Sequence, residues 1–335
     1  MKLLLGGSPC THWSIAQTRN RETQPKGLGW ELFRNYLIAK EWYRPDFYLY
    51  ENNKSMAPAI RAQITAELGV EPILINSALV SAQSRQRLYW TNIPGVKQPE
   101  DMGILLRDIL ETSLPLTEKG YALAGTSGRT TAESINITSA EVLNINPSGH
   151  GMNGAVIHTN GKCRTLTTNK GEGPKIIEPA KISRTLDRPI YEVSGGQITI
   201  KGRQCPIKLM DGYYIIRKLT VRECMRLQTV PEGFVFPVSD GQAYKMLGNG
   251  WTVDVIAHIL SYCPGITTEP LEVLSMYDGM SCGHLALDKL GANIIQYYAT
   301  EINKYAIKTT QTNFPDTIQL GDAFQVRENE WRSFF

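Results

Sequence analysis

The sequence predicts an α/β fold: a doubly wound, mostly parallel sheet with a second, smaller β-rich unit inserted into it. Three observations carry that expectation. Over residues 1 to 100 short apolar runs alternate with stretches of helical period, and the alternation returns from Lys218 onward. Between them, residues 101 to 215 hold 14 glycines and many threonines with no helical period. Several predicted strands also end on a residue able to do chemistry, which is where ligands collect in such sheets.

Taken in order, Lys2-Leu3-Leu4-Leu5 reads as a short buried strand. Gly6-Gly7 behind it lets the backbone turn and a ligand approach closely, and Pro9 stiffens the loop that carries Cys10. A nucleophile would sit there, although a small buried hydrophobe is the commoner fate of a free cysteine. Thr11 to Gly29 is polar and aperiodic, a long loop of the kind that forms lids. Trp30 to Trp42 places Leu32, Phe33, Tyr36 and Leu37 on one helical face. Asp46 to Tyr50 is a second strand, ending in Glu51-Asn52-Asn53. Pro58 to Leu68 is a helix with proline at its start and Gly69 at its end. Pro72 to Leu79 and Leu88 to Asn92 read as strands, with Gln83-Ser84-Arg85-Gln86-Arg87 between them. On an extended segment Arg85 and Arg87 would point the same way, toward one planar acceptor or one phosphate.

In the middle segment Gly154 to Thr159, Arg164 to Thr168 and Gln197 to Ile200 are β-like. Residues 151 to 210 carry ten Lys or Arg against four acids, an excess of six where the whole chain is only +3. Such an excess suits a phosphate backbone, or a solvated loop face. Thr220-Val221-Arg222-Glu223 is a capping box opening a helix through Met225, Leu227 and Gln228. Asp254 to Tyr262 is a further helix, and Pro264-Gly265 a linker. Leu271 to Met276 is a strand, His284 to Leu290 a helix, Ile294 to Thr300 a strand ending in Glu301, and Thr317 to Leu320 a strand ending in Gly321-Asp322.

Composition narrows the classes. A hydrophobic content of 42% with 20% charged residues is that of an ordinary globular protein, not a disordered chain. The cysteines (10, 163, 205, 224, 263, 282) include no Cys-x-x-Cys pair, so neither a disulfide framework nor a metal site is expected, and a reducing compartment is. The N-terminal apolar run is too short for a signal peptide and nothing could span a membrane, so a cytoplasmic location is expected.

Strand, glycine-bearing turn, helix, and a second strand ending in an acid 22 residues after Gly279 make a nucleoside-cofactor unit, with Glu301 toward ribose hydroxyls. Only Gly279 and Gly283 of a dinucleotide glycine pattern are present, so a cofactor without a pyrophosphate fits better. Asp322 could reach an adenine amino group. Glu51, beside a thiolate in a dry pocket, would be a general acid.

Together these pieces resemble the C5-cytosine DNA methyltransferases. Gly6-Gly7-Ser8-Pro9-Cys10 looks like their catalytic loop, Glu51-Asn52-Asn53 like their Glu-Asn-Val, and Gln83 to Arg87 like their Gln-x-Arg-x-Arg. Lys218 to Glu223, running on to Arg226-Leu227-Gln228, is similar to the helix after their target-recognition domain, and Gly248-Asn249-Gly250-Trp251-Thr252-Val253 to the cofactor-side motif that follows. Ser275 to Gly283 resembles their S-adenosylmethionine loop. The Ser-Met-Tyr-Asp-Gly wording and Trp251 are closer to the de novo animal enzymes, with phage and bacterial enzymes also in view. Thr11 after the cysteine and Asn53 in place of valine depart from the pattern without removing a needed group.

In the family the cofactor loop precedes the cysteine loop, and here it follows. This looks like a circular permutation in which residues 331 to 335 would end close to Met1. The implied division is residues 1–100 and 216–335 for the two parts of the catalytic domain and 101–215 for target recognition. The resemblance implies a Rossmann-like S-adenosylmethionine-dependent sheet and the catalytic residues Cys10, Glu51, Arg85 and Arg87, with Arg87 on the base O2. Cofactor contacts are expected from Ser275, Met276, Tyr277, Asp278, Gly279, Met280, Ser281, Gly283, Glu301, Ile302, Asp322, Ala323, Asn249, Gly250 and Trp251. DNA contacts are expected from Ser8, Ser14, Arg19 and Arg21 and from Lys162, Arg164, Lys170 and Arg203. The implied partner is double-stranded DNA, with no metal, no membrane and a monomeric chain. The reaction would methylate C5 of a flipped-out cytosine through a Cys10 adduct, in a restriction-modification or phage setting. The same chemistry on transfer RNA and a non-catalytic DNA-binding relative remain open, and a nucleotide-dependent oxidoreductase would leave Cys10 unexplained.

Overall fold

The computed structural model describes residues 1–15, 21–111, 141–146, 154–166, 168, 173–180 and 189–328, without the side chain of Cys10. Arg19, Lys170 and residues 331 to 335 lie outside the described residues.

Along the first part of the chain run β1 (Lys2–Gly6), α1 (Leu28–Tyr43), β2 (Phe47–Asn53), α2 (Pro58–Leu68), β3 (Ile73–Asn76), β4 (Gln83–Ser84), β5 (Gln86–Thr91) and α3 (Leu106–Ile109). Then come β6 (Glu141–Asn144), β7 (Ala155–His158), β8 (Cys163–Arg164), β9 (Lys175–Pro179), β10 (Ile190–Ser194), β11 (Gln197–Ile200), β12 (Arg203–Pro206) and β13 (Gly212–Lys218). The last part holds α4 (Val221–Leu227), α5 (Asp240–Asn249), α6 (Val253–Leu260), β14 (Leu271–Met276), α7 (Cys282–Leu290), β15 (Ile294–Thr300), α8 (Lys304–Asn313) and β16 (Ile318–Gly321).

Among the described residues, one seven-stranded sheet has the order β16-β15-β14-β1-β2-β5-β3. From β16 to β2 its neighbours are parallel, and β5 is antiparallel to both β2 and β3. Leu3 and Leu5 join one core and Leu4 the other, all fully buried. With both faces of β1 covered, alternation gives way to a continuous apolar run, each leucine contributing roughly 1.5–3 kcal/mol by its burial. Helices α6 and α7 pack together on the first face, while α1 and α2 supply Phe33, Tyr36, Ile60 and Ile64 to the second.

The second sheet has the order β12-β11-β10-β13-β9-β7-β6, mostly antiparallel. Its own small core includes Val156, Ile177, Val193 and Ile198, but Ile157, Cys163 and Ile176 belong to the main core. The two-stranded β4–β8 pair, with Gln83 opposite Cys163, also joins the inserted part to the larger sheet. Of the expected strand Arg164 to Thr168 only Arg164, in β8, is a strand residue among those described, and Pro72 to Leu79 ends as a strand at Asn76, where a 3-10 turn begins. Here the Asn76 side chain takes the Ala78 amide, an alternative to ladder pairing.

Candidate active site

Strands β2, β1, β14 and β15 run parallel side by side, so their carboxyl ends form one rim. Gly6 stands opposite Tyr50 on one side and Met276 on the other, and Met276 opposite Thr300. The next residues outward are the Gly7-Ser8-Pro9 loop, Glu51, the Tyr277–Gly283 turn and Glu301, four separate motifs brought to one edge.

The cysteine loop is fixed from beneath. The Ser8 hydroxyl and the Tyr50 phenol share a hydrogen bond of 2.7 Å, and Asn52 Nδ2 donates to the Ser8 carbonyl at 3.2 Å. Tyr50 is fully buried, and its phenol pKa is pushed up by desolvation. A Cβ on Gly7 would sit 3.0 Å from Glu51 Oε2 and 3.2 Å from the Trp251 ring, so close approach requires glycine there. Cys10 opens the 3-10 turn Cys10–His12. Behind it the fully buried Trp13 donates its indole N–H to Glu22 Oε2 at 3.1 Å, and the Gly29 amide donates to Glu22 Oε1 at 3.2 Å. Glu22 thus closes the base of this loop, a role with no motif to announce it in the sequence.

Glu51 is only 8% exposed. Arg87 Nε pairs with its Oε1 at 2.9 Å, and Trp251 Nε1 donates to its Oε2 at 2.9 Å. Arg87 reaches it diagonally across the antiparallel β2–β5 ladder, where Arg87 is opposite Asn53.

The expectation that Arg85 and Arg87 share one acceptor is corrected. Arg85 falls in the break between β4 and β5, so strand alternation does not carry from one to the other. Arg85 is buried and donates to the carbonyls of Gly248 at 3.2 Å and Gly250 at 2.9 Å. Three of the expected DNA contacts are committed elsewhere. Ser8 is buried against Tyr50. Lys162 donates to the carbonyls of Ala78 at 2.7 Å and Ser81 at 3.1 Å, with its pKa lowered by burial. Arg21 braces the cysteine loop, donating to the Ser55 carbonyl at 2.6 Å and the Trp13 carbonyl at 3.2 Å. Ser14 is half-buried in that loop. Arg164 is ion-paired with Glu141, and Arg203 is exposed at the β11–β12 hairpin.

On the β14 side, Tyr277 and Ser281 take left-handed φ values of 62°, and Gly279 one of 60°. Non-glycine residues adopt this conformation uncommonly, so two of them within five residues make an unusual turn. The Gly279 amide donates to Glu301 Oε2 at 2.9 Å, while Glu301 Oε1 accepts the Ile302 and Asn303 amides. Asp278 accepts Tyr297 OH at 2.9 Å and the Ser281 hydroxyl. Its burial outweighs both bonds and pushes its pKa up to about 6. Ser275, Met276, Met280 and Gly283 are buried beneath the turn. Asp322 caps the 3-10 turn Ala323–Arg327 through Phe324 N, with Ala323 buried behind it, and Asn249 ends α5 exposed.

This edge fits a nucleoside-type methyl donor. The space a side chain would fill at Gly279 is open, with nothing within 4 Å. Ile302, beside Glu301 on the same edge, is an apolar side chain 74% exposed.

Residues 1–264 match the family described as C-5 cytosine-specific DNA methylase. The orphan methyltransferase M.SPRI of Bacillus phage SPR is 26% identical over 358 residues, covering 77% of this chain and 81% of that protein. The type II methyltransferase M.FnuDI of Fusobacterium nucleatum is 25% identical over 279 residues, covering 77% and 74%. Among solved structures, the Dnmt2 methyltransferase of S. pombe is similar over 77% of this chain and 76% of its own, at 16% identity and a TM-score of 0.41.

Proposed function

The chain belongs to the C-5 cytosine-specific DNA methylase family, and from that membership we propose that it methylates C5 of a cytosine swung out of duplex DNA, with S-adenosylmethionine as donor. The observation that carries the reading is the shared rim, where the cysteine loop, Glu51 and the Tyr277–Gly283 turn end adjacent parallel strands. When bound, S-adenosylmethionine supplies an electrophilic methyl group on sulfonium sulfur. Glu301, Ile302, Asp322 and the open side of Gly279 would hold it.

A stacked, paired cytosine hides C5 and C6, so the base has to leave the helix. The Cys10 thiolate then adds to C6 while Glu51 gives a proton to N3, which neutralises charge developing in the ring and makes C5 nucleophilic. Arg87 keeps Glu51 oriented, a different duty from the contact with the base O2 that the resemblance implies. After methylation N3 returns its proton to Glu51, a base takes the C5 proton, the electrons of that C–H bond form the C5–C6 double bond, and the Cys10 sulfur departs with its electron pair, which restores the aromatic ring. The polar loop after Cys10 would cover the displaced base.

Target recognition falls to the inserted sheet. Supporting this, Lys201 and Arg203 are exposed at a two-residue hairpin beside a cleft of about 200 Å³ that Asn144 and Asn146 also line. The chain order is read as a circular permutation. In its favour, the family match stops at residue 264, before β14 to β16, although β14 lies directly beside β1 in the sheet.

The experiment is transfer from labelled S-adenosylmethionine to unmethylated duplex DNA, with transfer RNA in parallel and base-resolution mapping of the product. Label at cytosine C5 within one short DNA motif is expected. Cys10→Ala should abolish turnover and keep donor binding, and unchanged turnover in that variant would sink the mechanism. Label in RNA alone would move the substrate.

A further inference from the structure

The resemblance assigns Trp251 to the donor, but its one polar group points elsewhere. Its indole N–H meets Glu51 Oε2 at 2.9 Å, while Arg87 Nε holds the other oxygen at 2.9 Å. We infer that Trp251 is a positioning residue for Glu51, fixing the carboxyl group that protonates the base and tying it to the donor side of the cleft. The inference rests on the proposed role of Glu51.

A strand end places a glutamate backbone, but its side-chain torsions remain free. Two donors from two different elements remove that freedom at both oxygens. Both partners are donors only, since indole and guanidinium nitrogens carry no accessible lone pair. Neither competes with Glu51 as a proton acceptor, so both act on it by holding its position.

Trp251 is itself wedged and anchored. Its ring passes 3.2 Å from the position of a Gly7 Cβ and 3.8 Å from that of a Gly283 Cβ, between the cysteine loop and the first turn of α7. The residues around it are pinned. Arg85 donates to the carbonyls of Gly248 and Gly250, and the Thr252 hydroxyl bonds to Gln228 Oε1 at 2.9 Å and shares a bond of 2.9 Å with Ser77. The two arginines of one short segment therefore act on Glu51 by two routes. Arg87 touches it directly, and Arg85 acts through the turn that presents Trp251.

The test compares Trp251→Phe, which keeps an aromatic ring and removes the donor, with the parent protein. Three quantities are read: kcat at saturating DNA and S-adenosylmethionine, donor affinity by calorimetry, and exchange of the cytosine C5 hydrogen with tritiated water. Exchange needs addition at C6 but no methyl donor, so it reports on Glu51 apart from donor binding. Expected are a fall in kcat of roughly 10- to 100-fold, a matching fall in exchange, and an unchanged donor affinity. Trp251→His, which returns a ring N–H, should recover part of a loss that Trp251→Leu shows in full. That pair answers the same question if Trp251→Phe folds poorly. Weakened donor binding with kcat and exchange intact would overturn the inference and leave the proposed function standing. A parent protein inactive in both transfer and exchange would overturn the two together.

Discussion

Two acids on the same rim meet opposite circumstances. Glu51 faces a cation, Arg87, whereas Asp278 has the hydroxyls of Ser281, Ser275 and Tyr297 to set against complete burial. Burial dominates at Asp278 and holds its pKa near about 6. In the unfolded chain the same group titrates near about pH 4, so between those values the folded chain binds the extra proton and stability falls as pH rises through the window. Asp278→Asn removes that titration. The melting temperature of the variant should therefore gain on that of the parent between pH 4 and pH 7, and a pH-independent gap would show the attribution to be wrong. At Glu51, Arg87→Ala leaves one oxygen unheld, and turnover should drop by about 100-fold if orientation is what the guanidinium supplies. Steady-state kinetics on the folded variant decide it. Cys10 and Glu51 could be picked out from sequence because each follows a short apolar strand. The separation of Arg85 from Arg87 could not, because it depends on a strand break between Ser84 and Gln86 that local composition does not encode.

Helix α4 shows what a short element needs. Its capping box forms as expected, with Thr220 accepting the Glu223 amide at 3.1 Å and Glu223 Oε2 accepting the Thr220 amide at 2.8 Å. The sequence does not reveal that Glu223 is also fully buried and held bidentately by Arg217 at 2.7 Å on each oxygen. Glu223 further accepts the Glu111 amide at 3.2 Å, and Glu178 binds the third side of Arg217 at 2.9 Å. Glu223→Ala leaves a buried guanidinium half-paired and should destabilise the protein by about 3–5 kcal/mol, measured by urea unfolding. Thr220→Ala should remove only about 1 kcal/mol. The helices with proline starts, glycine ends or cap residues are legible at their boundaries, as α2 is over Pro58–Leu68. Helix α5 is not, since Gly241 and Gly248 fall inside it and its residues alternate poorly. Strands β10, β12 and β13 escape the sequence reading because an antiparallel sheet with one wet face shows only short, mixed runs.

Across the whole molecule, the first sheet was legible because both faces of its middle strands are dry, which writes β1 and β14 as apolar runs. The placement of the basic residues was not. Of the positive excess in residues 151 to 210, Lys162 and Arg164 are spent on internal partners, and Lys201 and Arg203 stand at the exposed hairpin. If that hairpin meets phosphates, Lys201→Ala with Arg203→Ala should weaken DNA binding and lower the slope of log affinity against log salt by about 2. An unchanged slope would move the interface elsewhere.

The cluster at Glu223 bears on more than stability. Glu111, the last described residue before β6, and Arg217, in β13 of the second sheet, meet at one carboxylate. It is one of several ties between the inserted sheet and the first sheet, beside the β4–β8 pair and the side chains of Ile157, Cys163 and Ile176 in the main core. If the inserted sheet reads the DNA, as proposed, these shared contacts mean that a change in which DNA is marked is felt where the mark is made.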